Sequence, residues 1–184
     1  MDPKLVAMIV VAIVAVLIIV WVVVRNQRTA KLRRRFGAEY DRTVRESGAQ
    51  RAETELLQRE KRVEKFPIRQ LAAEERERFI TEWRAIQSRF VDDPRGSVGQ
   101  ADLLVERLMQ ARGYPVTDFE QRAADISVAH PSVVDNYRAA HLIALRHRQG
   151  QATTEDLRTA VIYYRSLFDE LLQTGSIGRH KEVA

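Results

Sequence analysis

The chain has 184 residues, a formal net charge of +5, a sequence pI near 9.8 and no cysteine. The length favours one domain with an appendage. The missing cysteines exclude disulfides, thiolate nucleophiles and cysteine-ligated zinc from this chain. The excess of basic over acidic residues fits a nucleic-acid-binding protein only if that positive charge lies on a folded domain.

The charge excess lies at the amino terminus. Residues 1–35 contain seven Lys or Arg residues and one Asp, whereas the remainder contains 23 basic and 24 acidic residues. The remainder is therefore nearly neutral and lacks the cationic surface on which binding to a phosphate backbone depends. We expect no nucleic-acid partner.

Residues 5–24 are all apolar. As a helix with a rise of ~1.5 Å per residue, they would extend ~30 Å, the thickness of a bilayer's hydrocarbon core. The run is longer than the apolar region of a secretory signal, and Val22, Val23 and Val24 are not the small residues of a cleavage site. The sequence therefore predicts an uncleaved transmembrane anchor at residues 1–25, in preference to a signal peptide or a buried core helix.

Six basic residues follow the apolar run: Arg25, Arg28, Lys31, Arg33, Arg34 and Arg35. The positive-inside rule places this flank in the cytoplasm and the short amino terminus outside. Near an anionic leaflet the same side chains are expected to contact lipid headgroups, at about 1 kcal/mol per residue. The lipid bilayer is therefore the first predicted partner.

Residues 26–69 are predicted to form a basic juxtamembrane segment and a charged helical stalk. Ser47 and Gly48 interrupt the helical pattern, and Pro67 ends it because proline disfavours helix at the preceding residue. Apolar residues of the second stalk helix approach heptad spacing, but Arg59 occupies one of the core places. A solvated stalk is favoured, while a coil that makes a homo-oligomer or a partner-docking helix stays open.

Residues 70–174 show the three- to four-residue apolar spacing of amphipathic helices, and no segment alternates with period two. Five helices are predicted, near residues 73–90, 97–112, 117–128, 130–150 and 153–173. Gly113 is placed to end the second in the left-handed conformation, and Thr117 and Thr153 are predicted caps. The predicted fold class is all-α: an N-terminal transmembrane helix, a charged helical stalk, and a small four- to five-helix bundle, with a flexible tail at residues 175–184.

The segment at residues 117–136 is the densest in polar groups. Its candidates for acid–base chemistry, with the histidine that follows them, are Asp118, Glu120, Asp125, His130, Asp135 and His141. Structural roles are favoured for these residues: the acids are expected to cap helices or form surface ion pairs, and His141 is expected to be half-buried and hydrogen-bonded. No phosphate loop or hydrolase motif is present, and the histidine spacing does not fit a metal pair on a helix. No catalytic residue, metal site or cofactor is predicted, and an enzyme that uses this cluster stays the alternative.

Long strings in the second half of the chain are specific enough to compare: EKRVEKFPIRQL, FVDDPRG, RGYPVTDFEQRAADISVAHPSVVDNYRAAH and TEDLRTAVIYYRSLFDEL. They resemble a family of bacterial single-pass membrane-anchored proteins, over roughly residues 60–172. The resemblance implies a bacterial inner membrane and a shared helical domain, and it implies no activity because the family has none assigned. The favoured hypothesis is a non-enzymatic interaction or scaffold module at the cytoplasmic face of that membrane, with a protein partner.

Overall fold

The computed structural model describes residues 3–173, with side chains at Ile13 and residues 15–173. The predicted tail at residues 175–184 lies outside these residues, as do the side chains of residues 5–12 and of Val14 in the predicted anchor. The described residues form eight helices and no strand, which confirms the all-α prediction. In chain order the helices are α1 Pro3–Phe36, α2 Ala38–Ser47, α3 Ala49–Val63, α4 Ala73–Arg89, α5 Pro94–Ala111, α6 Phe119–Ala129, α7 Val134–Arg148 and α8 Thr154–Gln173.

Helix α1 contains the apolar run and continues without a break through the basic flank. The large apolar side chains described between Ile13 and Val24 are 41–62% exposed. Among the residues whose side chains are described, no helix is both long enough and apolar enough to cross a membrane.

The chain divides into two compact units, Met1–Leu56 and Leu57–Ala184. In the first unit, Gly37 joins α1 to α2 and Gly48 joins α2 to α3, and both glycines have positive φ. Glycine adopts this conformation at little cost because it has no Cβ. The interruption at Gly48 was predicted, whereas the one at Gly37 was not.

A single carboxylate connects the three helices of the first unit. Glu53 of α3 accepts hydrogen bonds from Thr29 of α1 at 2.6 Å and from Tyr40 of α2 at 3.2 Å. Among the described side chains of this unit, the buried apolar ones are Leu32, Phe36, Tyr40, Ala52 and Leu56. This part of the predicted stalk is therefore a packed helical unit and not an isolated, solvated helix.

The second unit contains the predicted bundle, formed by α4 to α8. Helix α8 packs on α5 and α7, α4 packs on α5, and α6 packs on α7. The apolar stripe of α8 is buried throughout: Leu157, Ala160, Val161, Tyr164, Leu167, Phe168 and Leu171. The five-helix bundle is confirmed.

Two of the predicted helix ends are confirmed. Thr153 caps α8: the Asp156 N–H donates to Thr153 Oγ1 at 3.2 Å, and the Thr153 N–H donates to Asp156 Oδ2 at 2.8 Å. Gly113 follows α5 with a φ of 95°.

The predicted start of the fourth bundle helix at His130 is wrong. His130 closes α6 instead, and its N–H donates to the Ile126 carbonyl at 2.8 Å. Residues 131–133 form a turn, and α7 begins only at Val134. Pro131 therefore lies in this turn and not in the first turn of a helix.

The segment between α3 and α4 packs on the turn between α5 and α6. The Arg69 N–H donates to the Arg112 carbonyl at 2.9 Å. The rings of Phe66 and Tyr114 meet edge to face, with centroids 6.3 Å apart. The end of the predicted stalk is therefore part of the second unit.

Candidate functional site

Three of the six predicted polar residues lie on the surface near helix starts. Asp118 precedes α6, and Glu120 is exposed in the first turn of that helix, where a carboxylate complements the helix dipole. Asp135 is 52% exposed in the first turn of α7, 3.5 Å from Arg138 Nη1. Capping, the helix dipole and an ion pair account for these three acids.

The cap of α6 is Asp118, so the prediction that Thr117 caps this helix is wrong. Asp118 Oδ1 accepts a hydrogen bond from the Gln121 N–H at 3.0 Å. Thr117 Oγ1 is buried and has no hydrogen-bond partner among the described residues. The chain therefore enters the helix one residue later than the capping pattern indicated.

We expect Asp118→Ala to lower the free energy of unfolding by about 1 kcal/mol, because it leaves a helix-start N–H without its acceptor. Thr117→Val keeps the shape of a side chain whose hydroxyl makes no hydrogen bond. This variant should therefore lower the free energy of unfolding by less than Asp118→Ala does. Urea titration of the two variants measures both changes. A loss for Thr117→Val equal to that for Asp118→Ala would restore Thr117 as the cap.

Asp125 of α6 is a buried carboxylate, only 1% exposed. Its Oδ1 accepts a hydrogen bond from Gln121 Nε2 at 2.8 Å and lies 3.1 Å from Arg62 Nε of α3. Burial raises the pKa of Asp125, while the Gln121 hydrogen bond and the Arg62 charge act in the opposite direction. This carboxylate contacts the end of the stalk and none of the other predicted acids.

His130 is buried between α6 and α8. Its Nδ1 lies 3.3 Å from Glu170 Oε1, and its side chain is 1% exposed. Burial lowers the pKa of His130, the contact with Glu170 opposes this, and the positive charge of buried Arg112 adds to the lowering. The imidazole is therefore held neutral in the folded protein at neutral pH.

We expect the folded protein to lose stability below about pH 6.5, the ordinary pKa of histidine. The pKa of His130 is lowered by folding, so the unfolded chain takes up a proton first, and stability falls as the pH decreases further. The pKa of His141 is also lowered by burial and acts in the same direction. Urea midpoints at pH 7.5 and 5.5 measure the effect, and His130→Gln should reduce the difference between them. An unchanged difference in His130→Gln would contradict the role of His130.

The sixth predicted residue, His141, leads to a polar cluster that sequence reasoning missed. The His141 ring stacks on Phe119 with centroids 3.6 Å apart. We define the Asp102 cluster by its members from four helices: Asp102 of α5, Arg122 of α6, Tyr137 and His141 of α7, and Tyr164 of α8. The charge of Asp102 acts on the pKa of each of the other four.

The two tyrosines of the Asp102 cluster are fully buried. Burial raises the pKa of Tyr137 to about 12. Burial also raises the pKa of Tyr164, and the charge of Asp102 adds to the rise. Both phenols therefore remain protonated at neutral pH, and neither hydroxyl oxygen has a hydrogen-bond partner among the described residues. The members of the cluster lie on helices that pack together, α5, α7 and α8 on one another and α6 on α7.

A local signal for this cluster was present in the sequence. Tyr137 and His141 are four residues apart, as are Asp102 and Glu106, so each pair shares one face of its helix. Glu106 accepts a hydrogen bond from Arg122 at 2.6 Å and so extends the cluster. The sequence does not show that these faces meet, because the two pairs lie on different helices.

Two other kinds of ligand site in the described part of the chain are a metal site and a surface groove. No group of three or more His, Asp or Glu residues there lies close enough to hold a metal ion. A surface groove of about 610 Å³ lies between α4 and α5, lined by Ile86, Leu103 and the ion-paired Glu82 and Arg107 among others. None of the six predicted polar residues lines this groove.

The predicted lipid-contact residues Arg25, Arg28, Lys31, Arg33, Arg34 and Arg35 are all exposed on α1. The Arg25 guanidinium lies over the Trp21 ring, 5.3 Å from its centroid. Arg33 Nη2 is 3.4 Å from Asp41 Oδ1, a contact between two exposed side chains.

The six polar residues of the predicted cluster thus occupy separate surroundings. Asp125 contacts α3, His130 contacts α8, and His141 belongs to the Asp102 cluster, while the other three lie at helix starts. Comparisons with models of protein families, with curated proteins and with solved structures find no match for this chain.

Proposed function

We propose that this chain is a single-pass membrane protein whose bundle is a non-enzymatic interaction or scaffold module at the cytoplasmic face of a bacterial inner membrane. The alternative is a membrane-tethered enzyme that uses the polar residues of the predicted cluster. The observation that supports a non-enzymatic role is that these residues are dispersed. Acid–base catalysis needs its groups within reach of one substrate. Asp118, Asp125 and Asp135 each have a different local partner instead.

The anchor is supported by the sequence and by the exposure of α1. Residues 5–24 are apolar without exception, and the helix that contains them runs from Pro3 to Phe36. Its described apolar side chains from Ile13 to Val24 are exposed, and a contiguous apolar surface of this kind marks a protein or membrane contact. A bilayer would cover the whole circumference of the helix.

The orientation and the setting rest on the basic flank and on the family resemblance. Positive charge is retained on the cytoplasmic side of an inner membrane, so the bundle lies inside and the amino terminus outside. The resemblance of residues 60–172 to bacterial membrane-anchored proteins is the support for the bacterial setting.

Because α1 continues as one helix through the basic flank, the lipid contact of each basic residue depends on its distance from the apolar run. Arg25 and Arg28 lie within ~6 Å of Val24 along the axis, at headgroup depth, whereas Arg33 to Arg35 lie ~14–17 Å beyond it. The Debye length is ~8 Å at physiological salt, so the outer arginines interact only weakly with lipid charges. Arg25 and Arg28 therefore supply most of the lipid contact.

The test of the anchor and of its orientation is a reporter fused after Ala184. We expect a green fluorescent protein fusion to fluoresce and an alkaline phosphatase fusion to be inactive. A matched control replaces all six flank arginines and lysines by glutamine and adds lysines before the apolar run, which should reverse both signals. Phosphatase activity in the unchanged chain would overturn the orientation, and a product that lacks the apolar run would overturn the anchor.

The test of the non-enzymatic role uses acids whose loss does not disturb the fold. Asp135→Asn removes an exposed charge, and Asp118→Asn keeps a good cap, so both variants should retain the melting temperature. We expect each variant to restore the wild-type phenotype fully when it is expressed in a strain that lacks the gene. A folded Asp135→Asn protein that does not restore the wild-type phenotype would overturn the scaffold proposal in favour of the enzyme.

A further inference from the structure

The C-terminal half of α3 is held to α6 by polar side chains. Arg62 Nε lies 3.1 Å from Asp125 Oδ1, and Arg59 Nη1 donates to Ser127 Oγ at 3.3 Å. The Arg62 guanidinium also lies over the Phe66 ring, 5.8 Å from its centroid. Arg59 and Arg62 are three residues apart on α3, so they project from one side of this helix.

The two ends of the ion pair differ in their exposure to water. The side chain of Asp125 is 2% exposed, whereas that of Arg62 is 42% exposed. Arg62 therefore exchanges this contact for water at low cost, whereas Asp125 gains water only when α3 moves away from α6. Within its own helix Asp125 keeps only the Gln121 hydrogen bond, and its Oδ2 has no hydrogen-bond partner among the described residues.

The backbones of α3 and α6 contribute little to this contact. In the described part of the chain, α3 is not among the helices that pack closely on α6, whereas α8 packs closely on both α5 and α7. Long arginine side chains bridge the space instead. Segments with few close contacts open at a lower free energy than the core of the same domain.

An ion pair that buries its carboxylate is a poor choice where only stability is required, because well-packed apolar side chains stabilise as much or more. If Arg62 is lost while α3 stays in place, the charge of Asp125 remains buried without its partner, so the closed state depends on this ion pair. We propose that the C-terminal half of α3 is a strap that opens from α6 while the bundle stays folded. Opening uncovers the Asp125 carboxylate and the Ser127 hydroxyl, which Arg62 and Arg59 contact in the closed state.

The absence of cysteine from the chain allows a direct measurement of opening. Ser127→Cys places a single thiol under the strap, at a position that is 0% exposed. Ala160→Cys, also 0% exposed but in the core of α8, reports opening of the whole bundle. Both full-length variants are placed in lipid nanodiscs, and the rate of maleimide labelling is recorded.

We expect the Ser127→Cys thiol to react at least about tenfold faster than the Ala160→Cys thiol. Adding Arg62→Ala should accelerate the first reaction by a further factor of about ten or more and leave the second unchanged, because only the strap loses its ion pair. Arg84→Ala is the matched control, since Arg84 pairs with Glu77 at a site where both side chains are exposed. It should change neither rate.

Equal labelling rates for the two thiols, or equal acceleration of both by Arg62→Ala, would overturn the strap. If Ser127→Cys does not fold, hydrogen exchange of the cysteine-free chain answers the same question. The α6 amides should then lose protection in Arg62→Ala while the α8 amides keep it. Equal loss in both helices would again contradict the proposal.

Discussion

Trp83→Ala is expected to lower the free energy of unfolding by about 3–5 kcal/mol, the usual cost of deleting a buried aromatic side chain. Trp83 is 4% exposed, and its indole stacks on Phe168 with ring centroids 4.7 Å apart. The substitution removes this contact between α4 and α8 and leaves a cavity in the core. Chemical denaturation followed by far-ultraviolet circular dichroism measures the loss, since Trp21 complicates a fluorescence signal.

Trp83→Phe is the matched control. It keeps an aromatic ring against Phe168, and the indole N–H that it removes has no hydrogen-bond partner among the described residues. We expect a loss of about 1–2 kcal/mol, because only part of the buried volume disappears. A loss below about 1 kcal/mol for Trp83→Ala would mean that the indole is exposed in solution, and a binding role for Trp83 would then be favoured.

Gly113→Ala is expected to destabilise the protein by at least about 2 kcal/mol, since a positive φ and a steric clash act together. Gly113 has a φ of 95°, and a Cβ there would meet the carbonyl oxygen of Pro67 and lie 2.9 Å from its carbonyl carbon. Both are backbone atoms, so the segment between α3 and α4 has to move away from the turn. Urea denaturation measures the loss.

Gly150→Ala separates the two contributions to that loss. Gly150 has a φ of 74°, but a Cβ there would meet nothing within 4 Å. We expect about 1–2 kcal/mol, from backbone strain alone. If Gly113→Ala and Gly150→Ala lower the free energy of unfolding equally, the Pro67 backbone does not contact Gly113 in solution.

The bundle helices were largely predictable because their apolar spacing is a local property. The helix near residues 153–173 was predicted from its apolar spacing, and Thr153 was placed correctly as its cap. Two helix starts were misplaced by a few residues. Asp118 and Thr117 are both good caps, and the pattern around His130 fits a helix end as well as a helix start, so local preference does not decide between the alternatives.

The sequence by itself determined the all-α class, the apolar run before the basic flank, and the left-handed glycine after α5. These features follow from residue spacing and from single-residue conformational preferences, which act over a few residues. Only the tertiary structure decided that the rings of Tyr137 and Tyr164 meet in the core, and that Arg62 reaches Asp125. Those contacts join residues that are tens of positions apart, and they depend on how the helices cross and on where the turns direct the chain. Helical periodicity indicates which face of a helix is buried, but it does not indicate which face of another helix packs against that face.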